Sequence, residues 1–482
     1  MMDNNAAYQA LTSRDVRFDG VFYVGVTSTG IYCRPICPVK APRQENCLFF
    51  DSAEAAEKAA FRPCLRCRPE LAPGHAPVDN AHRIAELLVQ RIDENVAEEE
   101  SLHTIAGQLG ISSRQLRRIV NQQLGVSPRE LKQTRRLLLA KQLLTETQLP
   151  VTEIAFASGF SSLRRFNDAF NRQYRLSPSR LRKAAVDPNY RLINSETSTL
   201  QLSYRPPYDW QAMLAFLSLR AIKDVELITD DSYARTVRLG SHTGWVRVTH
   251  APAKHALMVE FTHSLTPVLP ALLRRLRNLF DLSARPDLIA AHLQQHPLLQ
   301  QSLLTNPGLR VPGAFDGFEM AIRAILGQQI TVKAATTIAC RFADAFGDPI
   351  TTPFAGLSRL SPLATRVIDA SIDDIASLGI VSARARCIIA MAQACASGDL
   401  RLEAGNDPDQ TIAQLVTLPG IGQWTANYIA MRALRWPDAF PKEDIAVRNN
   451  LGGVSAKQAE EMSQAWRPWR SYAVMHIWKN MS

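Results

Sequence analysis

No stretch of the 482 residues approaches the roughly 18 uninterrupted apolar positions that a membrane-crossing helix needs, so a membrane partner is not expected. The opening segment MMDNNAAYQALTSRD lacks both the basic region and the apolar run of a secretory leader, and a cytoplasmic location is expected. Low-complexity tracts are missing too. With 46% hydrophobic and 21% charged residues and a mean hydropathy of -0.11, broad disorder is excluded. At roughly 100 to 200 residues per domain, a single small module is excluded as well.

An acidic excess is also absent, and the opposite excess is confined to one place. The net charge is +10. Residues 101–185 hold 15 Lys or Arg against 4 Asp or Glu, whereas the rest of the chain holds 40 basic against 41 acidic groups. Such concentration is the electrostatic footprint expected for a phosphate backbone, although a solvated basic helix face gives the same count. Composition shifts place connectors at APGHAPVDN (72–80) and VDPNYRLINSETS (186–198). The first region precedes 72, a helical one spans 81–185, and the third alternates in strand fashion (LQLSYR, HALMVEFTHSL) before turning helical beyond Val268.

Cysteine is scarce, yet five of the eight fall in the first 67 residues, four of them as Cys33-x3-Cys37 and Cys64-x2-Cys67. Two short pairs on separate turns are zinc-ligand spacing, because four thiolates complete a tetrahedral site. Disulfides, which a cytosolic chain would not keep, and four buried free thiols are the alternatives. A domain of this size with a modest core needs such a staple. The reading is one Zn2+ on Cys33, Cys37, Cys64 and Cys67. Cys47, Cys340, Cys387 and Cys395 are isolated and read as small hydrophobes.

The segments STGIYCRPICPVKAPRQENCLFF and AFRPCLRCRP resemble the N-terminal zinc domain of the Ada adaptive-response family over about residues 8–71. The resemblance implies that Cys33 is a nucleophile that irreversibly takes a methyl group from a DNA methylphosphotriester, with Cys37, Cys64 and Cys67 as fellow ligands. Four thiolates around one zinc ion leave the site doubly negative, and methylation makes it singly negative, so its repulsion of DNA phosphate falls. A lesion then becomes a change in DNA affinity. Arg34, Lys40, Arg43 and Arg66 are near enough in sequence to contact phosphates or to balance the site's charge. The Pro-Cys-His-Arg motif of that family's O6-alkylguanine transferase domain does not occur, and O6-guanine repair is not expected.

In SLHTIAGQLGISSRQLRRIVNQQLG, Ile105, Ala106 and Leu109 share one face, Gly110 makes the turn, and Ser112 caps a helix carrying Arg114, Arg117 and Arg118. The layout recurs in LPVTEIAFASGFSSLRRFNDAFNRQYRLSPSRLR, with Ala155, Gly159 and Phe160 around the turn and Arg164, Arg165 and Asn167 on the next helix. Phe166 and Phe170, four apart, read as core. The arrangement resembles the AraC-type DNA-binding domain over about residues 85–183, with Leu176 read at the place where that family usually has Gly before Ser-Pro. It implies two recognition helices entering adjacent major grooves.

LPGIGQWTANYIAMRAL (418–434) reads as a helix, a Gly hairpin and a second helix, whose exposed backbone N–H groups around Gly420 and Gly422 can hold a DNA phosphate. FPKEDIAVRNNL places Asp444 shortly after it. This pair of features resembles the helix-hairpin-helix glycosylase pattern. RPPYDWQAMLAFLSLRAI, SYARTV, LRVPGAFDGFEMAIRAILGQQI and WRPWRSYAVMHIW extend the likeness to the AlkA-type 3-methyladenine glycosylase family over about residues 199–482. It implies an antiparallel α+β subdomain followed by helices flanking a cleft. It also implies Asp444 as catalytic carboxylate, Trp424, Tyr428 and Trp478 at the base pocket, and Gln329 where relatives carry a leucine wedge. Trp and Tyr at helical spacing are otherwise ordinary core residues. An N3- or N7-alkylated purine is cationic, so it stacks on electron-rich rings and is already an activated leaving group. Trp424 stands where strand-cutting relatives have a Schiff-base lysine, which implies a monofunctional enzyme.

The fold expected is a multidomain α+β chain. It comprises a four-cysteine zinc domain (1–75), an all-α double helix-turn-helix domain (82–185), an α+β subdomain (198–282) and an all-α helix-hairpin-helix glycosylase domain (283–482). The function expected is DNA alkylation repair joined to transcription activation, acting on alkylated and promoter duplex DNA, with RNA polymerase as a further partner. A purely regulatory factor with an inactive glycosylase scaffold is the competing reading. A third takes the cysteine site as structural only.

Overall fold

The computed structural model describes residues 3–73, 103, 106, 112–185 and 196–479. Most of the expected 72–80 connector, together with Ile105, Leu109 and Gly110 of the first helix-turn-helix, lies outside them. The chain forms two compact units, Met1–Pro206 with Ala251–Arg274 and Pro207–His250 with Arg275–Ser482.

The first unit begins with α1 (Asn4–Thr12) and a small sheet of β1 (Tyr23–Val26), β2 (Ile31–Cys33), β3 (Cys47–Phe50) and β4 (Arg62–Pro63) in the order β3-β1-β2-β4. β1 runs antiparallel to β2 and β3, and β2 pairs parallel with β4 through Ile31↔Arg62 and Tyr32↔Pro63. Helix α2 (Ala53–Lys58) starts where Ser52 accepts the Ala55 N–H. The buried clusters are thin, with Leu11, Phe22 and Val24 on one side and Tyr23, Tyr32 and Phe61 on the other.

Among the described residues there follow α3 (Ser113–Leu124), α4 (Pro128–Glu146), α5 (Val151–Ala157), α6 (Leu163–Tyr174) and α7 (Pro178–Ala185). Ser112 caps α3 in a reciprocal box with Gln115, and Ser127 does the same for α4 with Glu130. Phe166 and Phe170 are fully buried, as expected of core. The Gly departure sits one residue earlier than the sequence reading placed it. Gly125 (φ 70) and Arg175 (φ 55) occupy the same left-handed turn ahead of the two Ser-Pro pairs, so Arg175, not Leu176, replaces the glycine.

Helix α4 joins the zinc domain through buried polar contacts. Thr134 and Tyr32 both donate to Glu57, at 3.1 and 3.0 Å. Lys141, 1% exposed, pairs with Glu70 and donates to the Cys64 carbonyl at 3.3 Å. Burial pushes the Glu57 carboxyl up to about 8.

Beyond residue 196 come β5 (Thr197–Ser203), α8 (Trp210–Ser218), β6 (Glu226–Ile228), β7 (Ser232–Leu239), β8 (His242–Ala251) and β9 (Ala256–Thr262). In the first unit β5 pairs antiparallel with β9, from Thr197↔Thr262 to Ser203↔Ala256. In the second, β6, β7 and β8 form an antiparallel meander. The stretch 198–282 is therefore shared between the two units.

The remaining helices are α9 (Leu269–Leu279), α10 (Pro286–Leu293), α11 (Pro297–Thr305), α12 (Gly317–Leu326), α13 (Val332–Phe346), α14 (Ala364–Val367), α15 (Ile372–Ala376), α16 (Ser382–Ala396), α17 (Pro408–Leu415), α18 (Gln423–Arg432), α19 (Ile445–Asn450), α20 (Ala456–Ser463) and α21 (Arg470–Lys479). One core joins Ile325 of α12, Phe342 of α13, Ile388 and Met391 of α16 and Ile429 of α18. It holds the ends of α12 and α18 where the cleft opens.

Candidate active site and zinc centre

In the second unit, Asp444 is the N-cap of α19. Its Oδ1 accepts the Val447 N–H at 2.9 Å and the Trp478 indole N–H at 3.2 Å, and its Oδ2 accepts the Trp424 indole N–H at 2.9 Å. Two tryptophans from α18 and α21 thus orient one carboxylate. Trp424 and Tyr428, four apart on α18, lie parallel with ring centroids 5.3 Å apart, and Trp478 stands 6.3 Å from Tyr428. These residues, Gln329 and Asp444 line one cavity of about 1220 Å³, so the structure brings the expected pocket set together.

Sequence reasoning missed the charged side of this cavity. Phe216 of α8 stacks 6.5 Å from Trp478, and the guanidinium groups of Arg220 and Arg432 lie over its ring at 3.8 and 4.8 Å. Arg432 donates to the Tyr428 hydroxyl at 2.8 Å. Burial raises the Tyr428 phenol, but the cations of Arg432 and Arg220 outweigh it and hold it below its ordinary value. Phe216 falls inside RPPYDWQAMLAFLSLRAI, yet as one apolar residue of a helix it reads as core there.

Between α12 and α13, Gln329 is exposed with φ 56. The hairpin between α17 and α18 turns at Gly420 (φ 82), where a side chain would be strained. Gly422 is exposed and meets nothing within 4 Å of an added Cβ, so the space beside its Cα is open.

In the first unit, the sulfur atoms of Cys33, Cys37, Cys64 and Cys67 lie within 4.8 Å of one another. A tetrahedron with zinc–sulfur distances of about 2.3 Å places sulfurs at such separations, and an all-thiol donor set suits Zn2+. The site fits one zinc ion. Backbone N–H groups of Arg34 and Arg66 donate to Cys67 Sγ (3.3 Å) and Cys64 Sγ (3.4 Å). Cys33, at the end of β2, is partly exposed, whereas the other three are buried.

Arg34 is corrected as a phosphate contact. It is 6% exposed, forks onto Asp19, and donates to the Cys67 carbonyl at 3.1 Å, so its hydrogen bonds are spent inside the domain. Arg43 and Arg66 are exposed. Arg114, Arg117 and Arg118 on α3 and Arg164 and Arg165 on α6 are exposed, with Asn167 half-buried, while Leu116, Val120, Phe166 and Phe170 form the opposite, buried faces.

Comparison with known proteins matches four families along the chain. These are the metal binding domain of Ada (6–70), a helix-turn-helix domain (105–184), the AlkA N-terminal domain (199–316) and the HhH-GPD superfamily of base excision DNA repair proteins (322–471). A relative in Mycobacterium tuberculosis (strain CDC 1551 / Oshkosh), named "Probable bifunctional transcriptional activator/DNA repair enzyme AlkA", is 36% identical, over 99% of this chain and 97% of its own length. The "DNA-3-methyladenine glycosylase 2" of Escherichia coli K12 is 35% identical over 58% of this chain and 95% of its length. Among solved structures, a 3-methyladenine DNA glycosylase from Archaeoglobus fulgidus shares the fold of 58% of this chain and 97% of its own at TM-score 0.52 and 18% identity.

Proposed function

The chain belongs to the AlkA family of bifunctional transcriptional activator/DNA repair enzymes, and from that premise we propose how its residues divide the work. It is a DNA alkylation-repair glycosylase carrying a zinc domain and a helix-turn-helix domain. We assign excision to Asp444. The observation that carries this is the carboxylate held by two indole N–H groups on the wall of the cavity lined by Trp424, Tyr428 and Trp478. An N3- or N7-alkylated purine stacked there leaves with the electrons of its bond to C1′, and the Asp444 charge stabilises the oxocarbenium-like sugar that remains. Water then adds at C1′ and loses a proton, giving an intact abasic strand. With Trp424 in place of a lysine, no amine is supplied for strand cleavage. Gln329 fills the hole left by the flipped base, while Gly420 and Gly422 of the hairpin hold the neighbouring phosphate.

In the first unit we assign methyl acceptance to Cys33, the partly exposed member of its set. Zinc, when bound, keeps the four sulfurs as thiolates. The Cys33 sulfur forms a bond to the methyl carbon as the methyl–oxygen bond breaks, and the phosphodiester leaves as an anion. Arg114, Arg117, Arg118, Arg164, Arg165 and Asn167 then meet promoter DNA, Arg43 and Arg66 its phosphates, and RNA polymerase is the partner recruited. The four-module division at 1–75, 82–185, 198–282 and 283–482 belongs to the same proposal, as does a cytoplasmic location. No helix among the described residues is long and apolar enough to cross a membrane.

Incubating the purified protein with methylated duplex DNA tests both assignments together. Released 3-methyladenine and 7-methylguanine, an abasic strand that breaks only in alkali, and one added methyl on the Cys33 peptide are expected. Base release undiminished in Asp444→Asn would overturn the first assignment. An unmethylated Cys33 after exposure to methylphosphotriesters would overturn the second.

A further inference from the structure

The loop between α12 and α13 is fixed by bonds to distant parts of the second unit. The side-chain amide nitrogen of Gln328 donates to the Gly420 carbonyl at 2.9 Å and to Thr425 Oγ1 at 3.0 Å. A primary amide has two hydrogens, and both are used. The Arg384 guanidinium on α16 donates to the backbone carbonyl of Gln328. Gly420 is the turn of the hairpin, and Thr425, 2% exposed, is the neighbour of the Trp424 that orients Asp444. The residue after Gln328 is Gln329, exposed in a left-handed conformation that a side chain adopts only where its surroundings impose it.

We propose that Gln328 is a positioning residue that latches the loop carrying Gln329 to the hairpin and to the start of α18. The phosphate grip, the side chain entering the duplex and the carboxylate then move as one body, and Gln329 reaches the base stack at a fixed depth. This rests on the reading of Gln329 as the residue that replaces a flipped base. The chemistry is selective for glutamine. Glutamate of the same shape sets an oxygen against the Gly420 carbonyl, and leucine removes both donors.

The test compares Gln328→Glu, Gln328→Leu and Gln329→Ala in the full chain on a duplex with one 7-methylguanine opposite cytosine, and on the same lesion in an unpaired bulge. Single-turnover base release and the fluorescence of a 2-aminopurine beside the lesion are read. Gln328→Glu should slow release from the paired lesion about 30-fold, with loss of the fluorescence rise, and from the bulge less than about 3-fold, because an unpaired base needs no wedge. Gln328→Leu should fall between Gln328→Glu and the parent. Equal losses on both substrates would make Gln328 a prop of the pocket and overturn the proposal. A loss in Gln329→Ala with none in Gln328→Glu would overturn the latch and leave the wedge standing. Unimpaired flipping in Gln329→Ala would remove the wedge reading itself, and the latch with it.

Discussion

The zinc centre and the base pocket are built on opposite plans. At the first, four sulfurs converge from short strands and turns over thin clusters of buried residues, and what they share is affinity for a cation. At the second, Asp444 already has three hydrogen-bond donors, supplied by α18, α21 and its own helix start. The difference teaches that one site is assembled by its ligand and the other is preorganised by the fold. Losing metal should therefore undo structure at the first, whereas altering the carboxylate should undo chemistry at the second and leave structure.

The largest effect that sharpens this contrast is removal of the metal. Structural zinc contributes on the order of 10 kcal/mol to small domains, so a strong chelator, or Cys64→Ser, should lower or abolish the cooperative unfolding transition of the first unit when it is measured by calorimetry. Base release from methylated DNA should stay within about twofold of the parent, since nothing in that cavity draws on the cysteines. A parallel loss of both would break the contrast.

The next effect belongs to the pocket. Asp444→Asn keeps a side-chain oxygen for the Val447 N–H, but it removes the charge and turns an amide N–H toward an indole N–H. Single-turnover excision should fall about 100- to 1000-fold, the range for loss of a preorganised charge partner. Stability, by thermal melting, should fall by only about 1 kcal/mol. A large fall in melting temperature would mean that the carboxylate is there to hold the fold.

A third effect tests the seam between the zinc domain and α4. Glu57 has its folded pKa raised to about 8 by burial, so between about pH 4.5 and 8 the folded state holds a proton that the unfolded state does not. Its contribution is present in full below the unfolded value and is lost as pH rises through the folded one. Glu57→Gln removes the ionisation, keeps one of the two acceptor oxygens and turns an amide N–H toward the other hydroxyl, and should stabilise the first unit by roughly 3–4 kcal/mol at pH 8 and by nothing near pH 4. Denaturant midpoints at the two pH values decide it, and equal midpoint shifts would reject the buried-acid account.

Legibility in the sequence followed the range of the interactions. The four cysteines, the Ser112 cap and the hairpin with Asp444 were readable because each is a local pattern of a few residues. Trp424 and Tyr428, four apart on one helix, read by spacing alone as ordinary core, and only the family resemblance put them at the pocket where the structure stacks them. Phe216 and the arginines over it were not readable, since Arg432 reaches that ring from a helix more than 200 residues away. Gln328 answers to Gly420, 92 residues on, and no local pattern separates it from Gln329 beside it. Arg34 misled because proximity to a cysteine in sequence says nothing of the buried Asp19 that claims it.

The two turns ahead of Ser-Pro offer the finest comparison, because one fold feature is made once with glycine and once without. Gly125 adopts φ 70 with no strain, whereas Arg175 adopts φ 55 against the clash between its Cβ and its own backbone. Arg175 is exposed at the end of α6, and its backbone N–H, which closes the helix on the Asn171 carbonyl at 2.9 Å, is retained by any residue but proline. Arg175→Gly should thus relieve about 1 kcal/mol of strain, offset in part by the greater freedom of glycine in the unfolded chain. The expected net is a gain of about 0.5 kcal/mol, with the reverse change, Gly125→Arg, losing about 1 kcal/mol. Both are read as denaturant midpoints at unchanged slope. A destabilised Arg175→Gly would show that the arginine makes contacts worth more than the strain it bears. The single positive charge lost should also flatten the salt dependence of DNA binding by about 0.9 if Arg175 meets a phosphate, and leave it unchanged if it serves only as the turn.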